Sequence, residues 1–403
     1  MLLKKYLTLL IAQFALFPAA NAQEEFVEPP SRVLTSIPFE QLTGGIIVMR
    51  ARFDDYPDTL KFILDTGSSG ISLDSSLVAY WGLNPEPSDR SIRGIAGIRK
   101  VSFLRNRKLH FPRLTVDSLD FHVNNYNILT SVYGMQIDGI IGYSLLSRYI
   151  LKIDYDSLKI DICSNGMIRY PKGGHLIKPV MGTLPVHHAR LRDASQHNVR
   201  FLHDIGAGLC LMLSSDFAED SSVIHRRRVL LAKEGEGLGG SIDMKVTVVR
   251  ELKIGPYRFK NVPTYVFDDE FNVTSYPYMA GIIGNDIFRR FNSILNYAKK
   301  DIYLVPNSHF REPFDYSYAG VELYYEQGKI ILGDVAEGSP AAEAGLQEFD
   351  EVVAINNNFT KNFNQLKAAL QSSTGKLKII VLRNNQLMQF EFKVKSIMRK
   401  KRR

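Results

Sequence analysis

The feature that most limits how this chain can fold is an internal repeat. The segment LKFILDTGSSGISLDSS, residues 60–76, has the same layout as VRFLHDIGAGLCLMLSS, residues 199–215. Each segment contains an apolar run, an Asp-X-Gly triplet, a loop of small residues, a second apolar run and a pair of serines. The aspartates are Asp65 and Asp204, which lie 139 positions apart. The serine pairs predict the N-caps of two short helices.

A second pair of segments repeats in the same order. DGIIGYSLLSRYILKIDYDSLKIDI, residues 138–162, parallels AGIIGNDIFRRFNSILNYAKKDIYL, residues 280–304. Gly142 follows Asp65 by 77 residues, and Gly284 follows Asp204 by 80. The repeat therefore predicts two similar lobes, made mostly of strands, that pack about a pseudo-two-fold axis. If the aspartate loops lie near that axis, their carboxylates meet.

A weaker correspondence joins two glycine clusters. RGIAGIRK, residues 93–100, begins 28 residues after Asp65, and EGEGLGG, residues 234–240, begins 30 residues after Asp204. Glycines between alternating segments are typical of hairpin tips that bend sharply or approach a ligand. An ordinary surface hairpin is the alternative interpretation.

Two facing carboxylates suit acid–base chemistry. Close carboxylates cannot both ionise cheaply, so one pKa falls, the other rises, and the pair shares a proton. A water between them can lose a proton to one Asp while the other Asp protonates a carbonyl oxygen. Amide hydrolysis by this route needs neither a metal nor a covalent intermediate. Gly67 and Gly206 would let backbone N–H groups approach the carboxylates.

The motifs LDTGSSG with IIG, and DIGAG with IIG, resemble the pepsin and retropepsin clan of aspartic peptidases over residues 33–305. The resemblance implies a catalytic pair, supporting loop residues and flap residues that contact substrate. The implied catalytic pair is Asp65 and Asp204. The implied supporting loop residues are Thr66, Gly67, Ser68 and Gly206. The implied flap residues are Gly94, Ile95, Gly97 and Gly239.

The second motif departs from the family pattern. Ile205 stands where the family has Thr or Ser, and Ala207 replaces the hydroxyl of Ser68. In the family, two hydroxyls brace the pair across the axis, so here the bracing is at best half made. We expect an active enzyme, and the alternative is a catalytically degenerate peptide-binding protein.

The C-terminal part resembles a PDZ domain of the kind attached to bacterial proteases, over about residues 315–396. GSPAAEAGL, residues 338–346, predicts a turn, a short helix that begins at Pro340, and a Gly345 cap. Phe349 is a departure, since a Gly usually precedes the Asp at this point. The resemblance implies a peptide-binding nest at Ala319, Gly320 and Val321 that captures a C-terminal carboxylate. A PDZ fold that only packs on the protease is the alternative.

The N-terminus predicts a signal peptide. Two lysines precede an apolar segment, residues 6–17, and Ala20-Asn21-Ala22 forms a small-residue cleavage site. The apolar segment is shorter than the ~20 residues of a spanning helix. We therefore expect cleavage after Ala22 and export to the periplasm or the medium, with an N-terminal membrane anchor as the alternative.

Charge argues against a nucleic-acid partner. The net charge of +8 includes +2 in the signal peptide and +5 in the tail RKKRR, residues 399–403, which leaves 8 − 2 − 5 = +1 for the body. The adjacent His187 and His188 do not form a metal-binding spacing, so we expect no metal and no cofactor. Sequence alone does not decide whether Cys163 and Cys210 form a disulfide.

The predicted fold is mainly β, with two acid-protease lobes and an α+β PDZ domain. We expect a monomeric, exported aspartic endopeptidase that acts on peptides or proteins. The predicted boundaries are signal peptide 1–22, first lobe 23–165, second lobe 166–308, PDZ domain 309–397 and basic tail 398–403.

Overall fold

The computed structural model of the chain describes residues 28–237, 240–373 and 375–398. The predicted signal peptide, Gly239 and tail residues 399–403 lie outside the described residues. None of the helices in the described ranges is long and apolar enough to cross a membrane. The architecture is mainly β, with two barrel lobes followed by a small α+β domain, which confirms the predicted fold class.

The first lobe contains eleven strands, one 3₁₀ turn at Thr43–Gly45 and three short helices. The strands are β1 (Val33–Gln41), β2 (Ile47–Phe53), β3 (Thr59–Leu64), β4 (Ile71–Asp74), β5 (Ser91–Gly94), β6 (Gly97–Lys100), β7 (Ser102–Phe111), β8 (Leu114–Asn124), β9 (Gly139–Ile141), β10 (Ile150–Asp154) and β11 (Lys159–Cys163). The helices are α1 (Ser75–Tyr80), α2 (Asn127–Tyr133) and α3 (Tyr143–Leu146).

The second lobe also contains eleven strands, with two helices and a 3₁₀ turn at Ser308–Arg311. The strands are β12 (His175–Ile177), β13 (Val180–Met181), β14 (Pro185–Arg192), β15 (Gln196–His203), β16 (Leu211–Ser214), β17 (Leu231–Gly237), β18 (Gly240–Ile254), β19 (Tyr257–Phe267), β20 (Gly281–Ile283), β21 (Phe291–Asn296) and β22 (Asp301–Pro306). The helices are α4 (Ser215–Asp220) and α5 (Asn285–Phe288).

Each lobe closes six strands into a barrel. In the first lobe the order is β2-β3-β9-β4-β8-β7, and pairing of β2 with β7 closes the ring. In the second lobe the order is β14-β15-β20-β16-β19-β18, closed by β14 and β18. Alternation explains why these segments form barrel walls: in β2, Met49, Ala51 and Phe53 are buried, while Arg50 and Arg52 point to solvent.

A sheet between the lobes carries the pseudo-two-fold axis. Its strand order is β12-β22-β21-β10-β11-β1, and β10 pairs with β21 across the lobe boundary. Since Gly142 corresponds to Gly284, residues 151–153 correspond to residues 293–295. The observed pairs are Leu151 with Leu295, Lys152 with Ile294, and Ile153 with Ser293. The axis therefore passes through the Lys152–Ile294 pair, and the predicted duplication is visible in the register itself.

The repeated Gly-Ile-Ile-Gly segments are strands threaded through each lobe. β9 runs parallel to β3 and antiparallel to β4, and β20 has the same relation to β15 and β16. A Cβ at Gly139 would overlap the Ser72 carbonyl oxygen, and one at Gly281 would overlap that of Met212. Glycine is required because the neighbouring backbones touch at these points.

One local prediction from the serine pairs is wrong. Helix α1 is capped by the Asp74 carboxylate, which accepts hydrogen bonds from the backbone N–H groups of Ser76 and Leu77. The serine pair therefore forms the first turn rather than the cap, because a carboxylate one residue earlier takes the donors. In the second lobe Ser214 caps α4 as predicted.

The third domain has a five-stranded sheet, a separate two-stranded sheet and two helices. The strands are β23 (Ser317–Tyr318), β24 (Val321–Glu326), β25 (Lys329–Val335), β26 (Glu351–Ile355), β27 (Lys376–Arg383), β28 (Gln386–Lys393) and β29 (Lys395–Ser396). The sheet order is β24-β25-β26-β27-β28, and β23 pairs with β29 separately. The helices are α6 (Pro340–Ala344), which ends on Gly345 as predicted, and α7 (Phe363–Gln371).

Candidate active site

The two aspartates follow equivalent strands and are held in the same way. Asp65 comes directly after β3, and its N–H donates to the Ile141 carbonyl at 2.9 Å. Asp204 comes directly after β15, and its N–H donates to the Ile283 carbonyl at 3.0 Å. Each threaded Ile-Ile strand therefore fixes one aspartate, which explains why the two motifs recur together.

The structure brings the two carboxyl groups together at the lobe boundary. A Cβ added to Gly67 would lie 2.5 Å from Oδ2 of Asp204, and one added to Gly206 would overlap the Asp65 carboxyl carbon. Each glycine thus lies against the opposite carboxylate. The Gly67 N–H donates to Oδ1 of Asp65 at 2.6 Å, and the Gly206 N–H donates to Oδ1 of Asp204 at 2.8 Å.

The environment sets the protonation of the pair. Burial, followed by the charge of Asp204 and a hydrogen bond to it, raises the pKa of Asp65 well above its usual range. Burial also raises the pKa of Asp204, but the hydrogen bond from Asp65 and the surrounding backbone N–H groups lower it. Both pKa values are raised, so the two carboxyls share one proton, and an acid and a base stand side by side.

A hydroxyl braces the pair from one side only. Thr66 Oγ1 donates to the His203 carbonyl at 2.6 Å and accepts from the Ile205 N–H at 3.0 Å, both across the lobe boundary. Ile205 has no hydroxyl to return these bonds, and its side chain is buried in the main core. The half-made brace anticipated from the sequence is thus present.

Ser68 lies beside the first aspartate and is half-buried. Its backbone N–H, together with that of Gly67, lowers the pKa of Asp65 against the larger effect of burial. Its carbonyl accepts from the Tyr143 N–H at 3.0 Å. Gly142 must lack a side chain because a Cβ there would overlap that carbonyl.

The predicted first flap is a hairpin that reaches the other lobe. β5 and β6 pair with Gly94 opposite Gly97, which leaves Ile95 and Ala96 at the tip. Ile95 packs on an apolar cluster of the second lobe, and Arg93 donates to the Asn272 carbonyl at 3.1 Å. The equivalent hairpin, β17 and β18, pairs Gly237 with Gly240, and Gly239 lies outside the described residues.

Tyr133 is a residue that sequence reasoning missed. It ends helix α2 and packs on an apolar cluster that includes Ile46 and Ile63. Burial, followed by the charges of Asp65 and Asp204, raises the pKa of Tyr133. No spacing rule marks this position; the only local signal is Gly134, a left-handed C-cap that ends a short apolar segment ahead of Gly-Ile-Ile-Gly.

Two histidines lie buried behind the second aspartate. The ring of His203 stacks on Phe288 at 3.5 Å between centroids, and His187 contacts both rings edge-on. Within the described part of the chain, neither ring nitrogen of His203 has a hydrogen-bond partner. Burial lowers the pKa of His187 to about 4 and holds the pKa of His203 well below its usual value. His203 is therefore a packed strand residue.

Both cysteines fall in described ranges and are free, buried thiols. The Cys210 thiol donates to an Asp286 oxygen at 2.9 Å. Among the described residues, no group of three His, Cys, Asp or Glu side chains is arranged to hold a metal ion.

The predicted nest in the third domain lines a cavity. Gly320 has φ +78°, and Ala319, Gly320 and Val321 face helix α7 across a cavity of about 400 Å³. The remaining walls come mainly from the two lobes and from Pro313 and Asp315, which lie between the second lobe and β23. The nest therefore opens toward the body of the protein.

Comparison with protein families supports both halves of this description. An aspartyl protease family model matches residues 49–145 and 189–287, one segment in each lobe, and a PDZ domain model matches residues 331–384. Comparison with curated proteins gave no significant match. The two matched segments each contain one aspartate loop and one Gly-Ile-Ile-Gly strand. The chain therefore belongs to the aspartyl proteases, with its protease domain in two segments and a PDZ domain at the C-terminal side.

Proposed function

We propose that the protein is an aspartic endopeptidase. The observation that carries the proposal is the carboxyl pair, in which Asp65 lies against Gly206 and Asp204 lies against Gly67. Both aspartates are half-buried residues rather than fully enclosed ones. We take the space between the two lobes beside this pair, under the flap hairpin, as the substrate cleft.

The protonation pattern suggests a role for each carboxyl. Asp204 is assigned as the base because hydrogen bonds from Asp65 and from nearby backbone N–H groups favour its ionised form. It removes a proton from the water as the water oxygen bonds to the scissile carbonyl carbon. Asp65 donates its proton to the carbonyl oxygen, which gives a neutral tetrahedral diol. When the C–N bond breaks, the amide nitrogen takes the proton held by Asp204, and a diol proton returns to Asp65. The pair is then restored.

The flap hairpin supports substrate binding at the same place. Its tip crosses to the second lobe through Ile95, so a peptide in the cleft would lie beneath it. Closure of such a hairpin excludes water and holds the peptide against the carboxyls. Gly94 and Gly97 flank the tip and let the chain reverse there.

We propose that the PDZ domain binds a peptide or protein through Ala319, Gly320 and Val321. Support comes from the family match and from the left-handed Gly320, whose carbonyl accepts from the Ala336 N–H at 2.9 Å.

Export and cleavage after Ala22 are also proposals, supported by the N-terminal sequence. N-terminal sequencing of the mature protein tests them, and light scattering tests the expected monomer.

The test of the proposed function is cleavage of a peptide library by the full mature chain. A peptide mimic that carries a hydroxyl in place of the attacked carbonyl should block cleavage, because the hydroxyl occupies the position of the water. Cleavage that resists this mimic would point to another mechanism. No cleavage at any pH at which the protein stays folded would favour the degenerate peptide-binding protein, for which the missing hydroxyl at Ile205 is the supporting observation.

A further inference from the structure

The PDZ groove has one open edge. β24 is the outer strand of the sheet β24-β25-β26-β27-β28, and among the described strands none pairs with its outer side. Helix α7 lies opposite. Peptides bind PDZ domains by adding a strand to such an edge, with the carboxylate at the nest.

The first lobe already occupies the far half of this groove. Ser131 Oγ, on helix α2, donates to the Tyr325 carbonyl of β24 at 3.1 Å. Lys367 Nζ, on α7, donates to the Val132 carbonyl at 2.9 Å. Gly134 lies so close to the Phe363 ring that a Cβ there would overlap it. Helix α2 is therefore held from both walls of the groove.

Helix α2 depends on these contacts. It has seven residues, of which Ile128, Thr130 and Val132 are β-branched, and within the described chain the side chain of its N-cap residue, Tyr126, accepts no hydrogen bond from the first turn. So short a helix is unstable alone. The terminal carbonyls of a helix lack intrahelical partners, and the buried Lys367 ammonium satisfies one of them. The PDZ domain therefore supports the helix.

The near half of the groove is open but small. The cavity of about 400 Å³ is bounded by the nest, by Leu370 and Gln371 of α7, and by Gly44 and Lys233 of the two lobes. Lys233, on β17, forms an ion pair with Glu322 of β24. A peptide that enters at the nest and continues along β24 meets helix α2 at Tyr325.

We propose that helix α2 and a peptide with a free C-terminal carboxylate compete for the PDZ groove, so that the peptide loosens α2 and weakens substrate binding in the cleft. Tyr133, the last residue of α2, carries this effect because it packs on the cluster that contains Ile63 of β3 and Ile140 of β9, the two strands that hold Asp65. Coupling between two binding sites is reciprocal, so a cleft ligand should also oppose binding in the groove. The inference rests on the proposed peptide binding by the PDZ domain.

The direct test is amide hydrogen exchange over residues 127–134 in the full chain. The probe is a mixture of random hexapeptides that end in Val, Leu or Ile with a free carboxylate, and the control is the same mixture as C-terminal amides. At saturation the acids should speed exchange in this segment roughly tenfold or more, because segments opened from the native state lose protection. The amides should leave it unchanged.

Variants separate competition from direct contact. Ser131→Ala lies in the first lobe, so it should alter peptide affinity only through α2. It should tighten peptide binding about fivefold, which corresponds to the net free energy of one hydrogen bond.

Lys367→Met should speed exchange over 127–134 without peptide, whereas Lys361→Met, at an exposed position, should not. In wild type the acids should raise KM for a short substrate, and kcat should stay constant.

Unchanged exchange over 127–134 with the acid peptides, or failure of those peptides to bind, would overturn the inference. Wild-type affinity in Ser131→Ala would do the same. These outcomes differ from failure of the proposed function, which shows as absent cleavage without any peptide in the groove. Exchange and affinity are measured without reference to cleavage, so each proposal can fail alone.

Discussion

Thr66 Oγ1 accepts a hydrogen bond from the Ile205 N–H at 3.0 Å, and Ile205 has no hydroxyl with which to return it. One residue thus braces both catalytic loops. The same hydroxyl donates to the His203 carbonyl, so two buried groups of the second lobe depend on a single oxygen.

Thr66→Val should destabilise the protein strongly, because it keeps the shape and removes that oxygen. Leaving the Ile205 N–H and the His203 carbonyl unpaired should cost on the order of 3 kcal/mol in the free energy of unfolding. Thr66→Ser keeps the hydroxyl and is the matched control. Denaturant unfolding of both variants checks this, and equal stability would show that the brace is unimportant.

Gly206→Ala should abolish most activity without unfolding the protein. The new Cβ would overlap the Asp65 carboxyl and push it aside. Displacement of a catalytic group by about 1 Å can cost roughly 100-fold in rate. Gly182→Ala is the control, since an added Cβ there meets no atom of the described chain within 4 Å. The prediction fails if kcat/KM for the Gly206→Ala protein stays near wild type while its fold is intact.

Acid should destabilise the protein through its buried histidines. Burial lowers the pKa of His187 in the folded state from 6.5 to about 4. As pH falls through that window the unfolded state takes up a proton and the folded state does not, so stability falls with pH. For His187 the free energy of unfolding should fall by on the order of 3 kcal/mol. The pKa of His203 is shifted in the same direction.

His203→Leu should flatten this pH dependence. Leu64 occupies the equivalent position in the first lobe, directly before Asp65, so leucine suits the site. The titratable neighbour facing His203 is His187, which remains in the variant and should retain its own share. Thermal unfolding at several pH values between 6.5 and 4 measures the slope. An unchanged slope would mean that His203 accepts a proton in the folded state.

Ile95→Ser should weaken substrate binding more than it weakens the fold. Ile95 is at the flap tip and packs on the second lobe, whereas Ile98, on the same hairpin, is 52% exposed. We expect kcat/KM to fall roughly tenfold in Ile95→Ser, mostly through KM. Ile98→Ser should stay near wild type. Similar losses in both variants would mean that hairpin stability, rather than the tip contact, matters.

The duplication made the site predictable because it is visible both in the sequence motifs and in the backbone contacts that those motifs form. Matching motifs placed Asp65 and Asp204 in equivalent loops, and the close backbone contacts at Gly139 and Gly281 explain why the motifs persist together. Residue type and spacing were sufficient to predict the site because the local backbone geometry at these positions requires glycine, and each glycine-containing strand holds one aspartate.

Other features depend on long-range packing that spacing does not encode. Asp74 displaced the serine pair as a cap because its carboxylate also accepts from the Tyr126 N–H, 52 residues later. Tyr133 is placed by helix α2, whose Val132 carbonyl accepts a hydrogen bond from Lys367 in another domain. A weak helix held by a distant partner leaves no periodic signal in its own sequence.

The central claim is that both carboxyls act in peptide hydrolysis, and the most direct measurement is kcat/KM for Asp65→Asn and Asp204→Asn against wild type. Each variant keeps the shape of the side chain and removes one half of the acid–base cycle. We expect a loss of more than roughly 100-fold in each, with both proteins folded. Cleavage by folded Asp204→Asn protein at the wild-type rate would contradict the account.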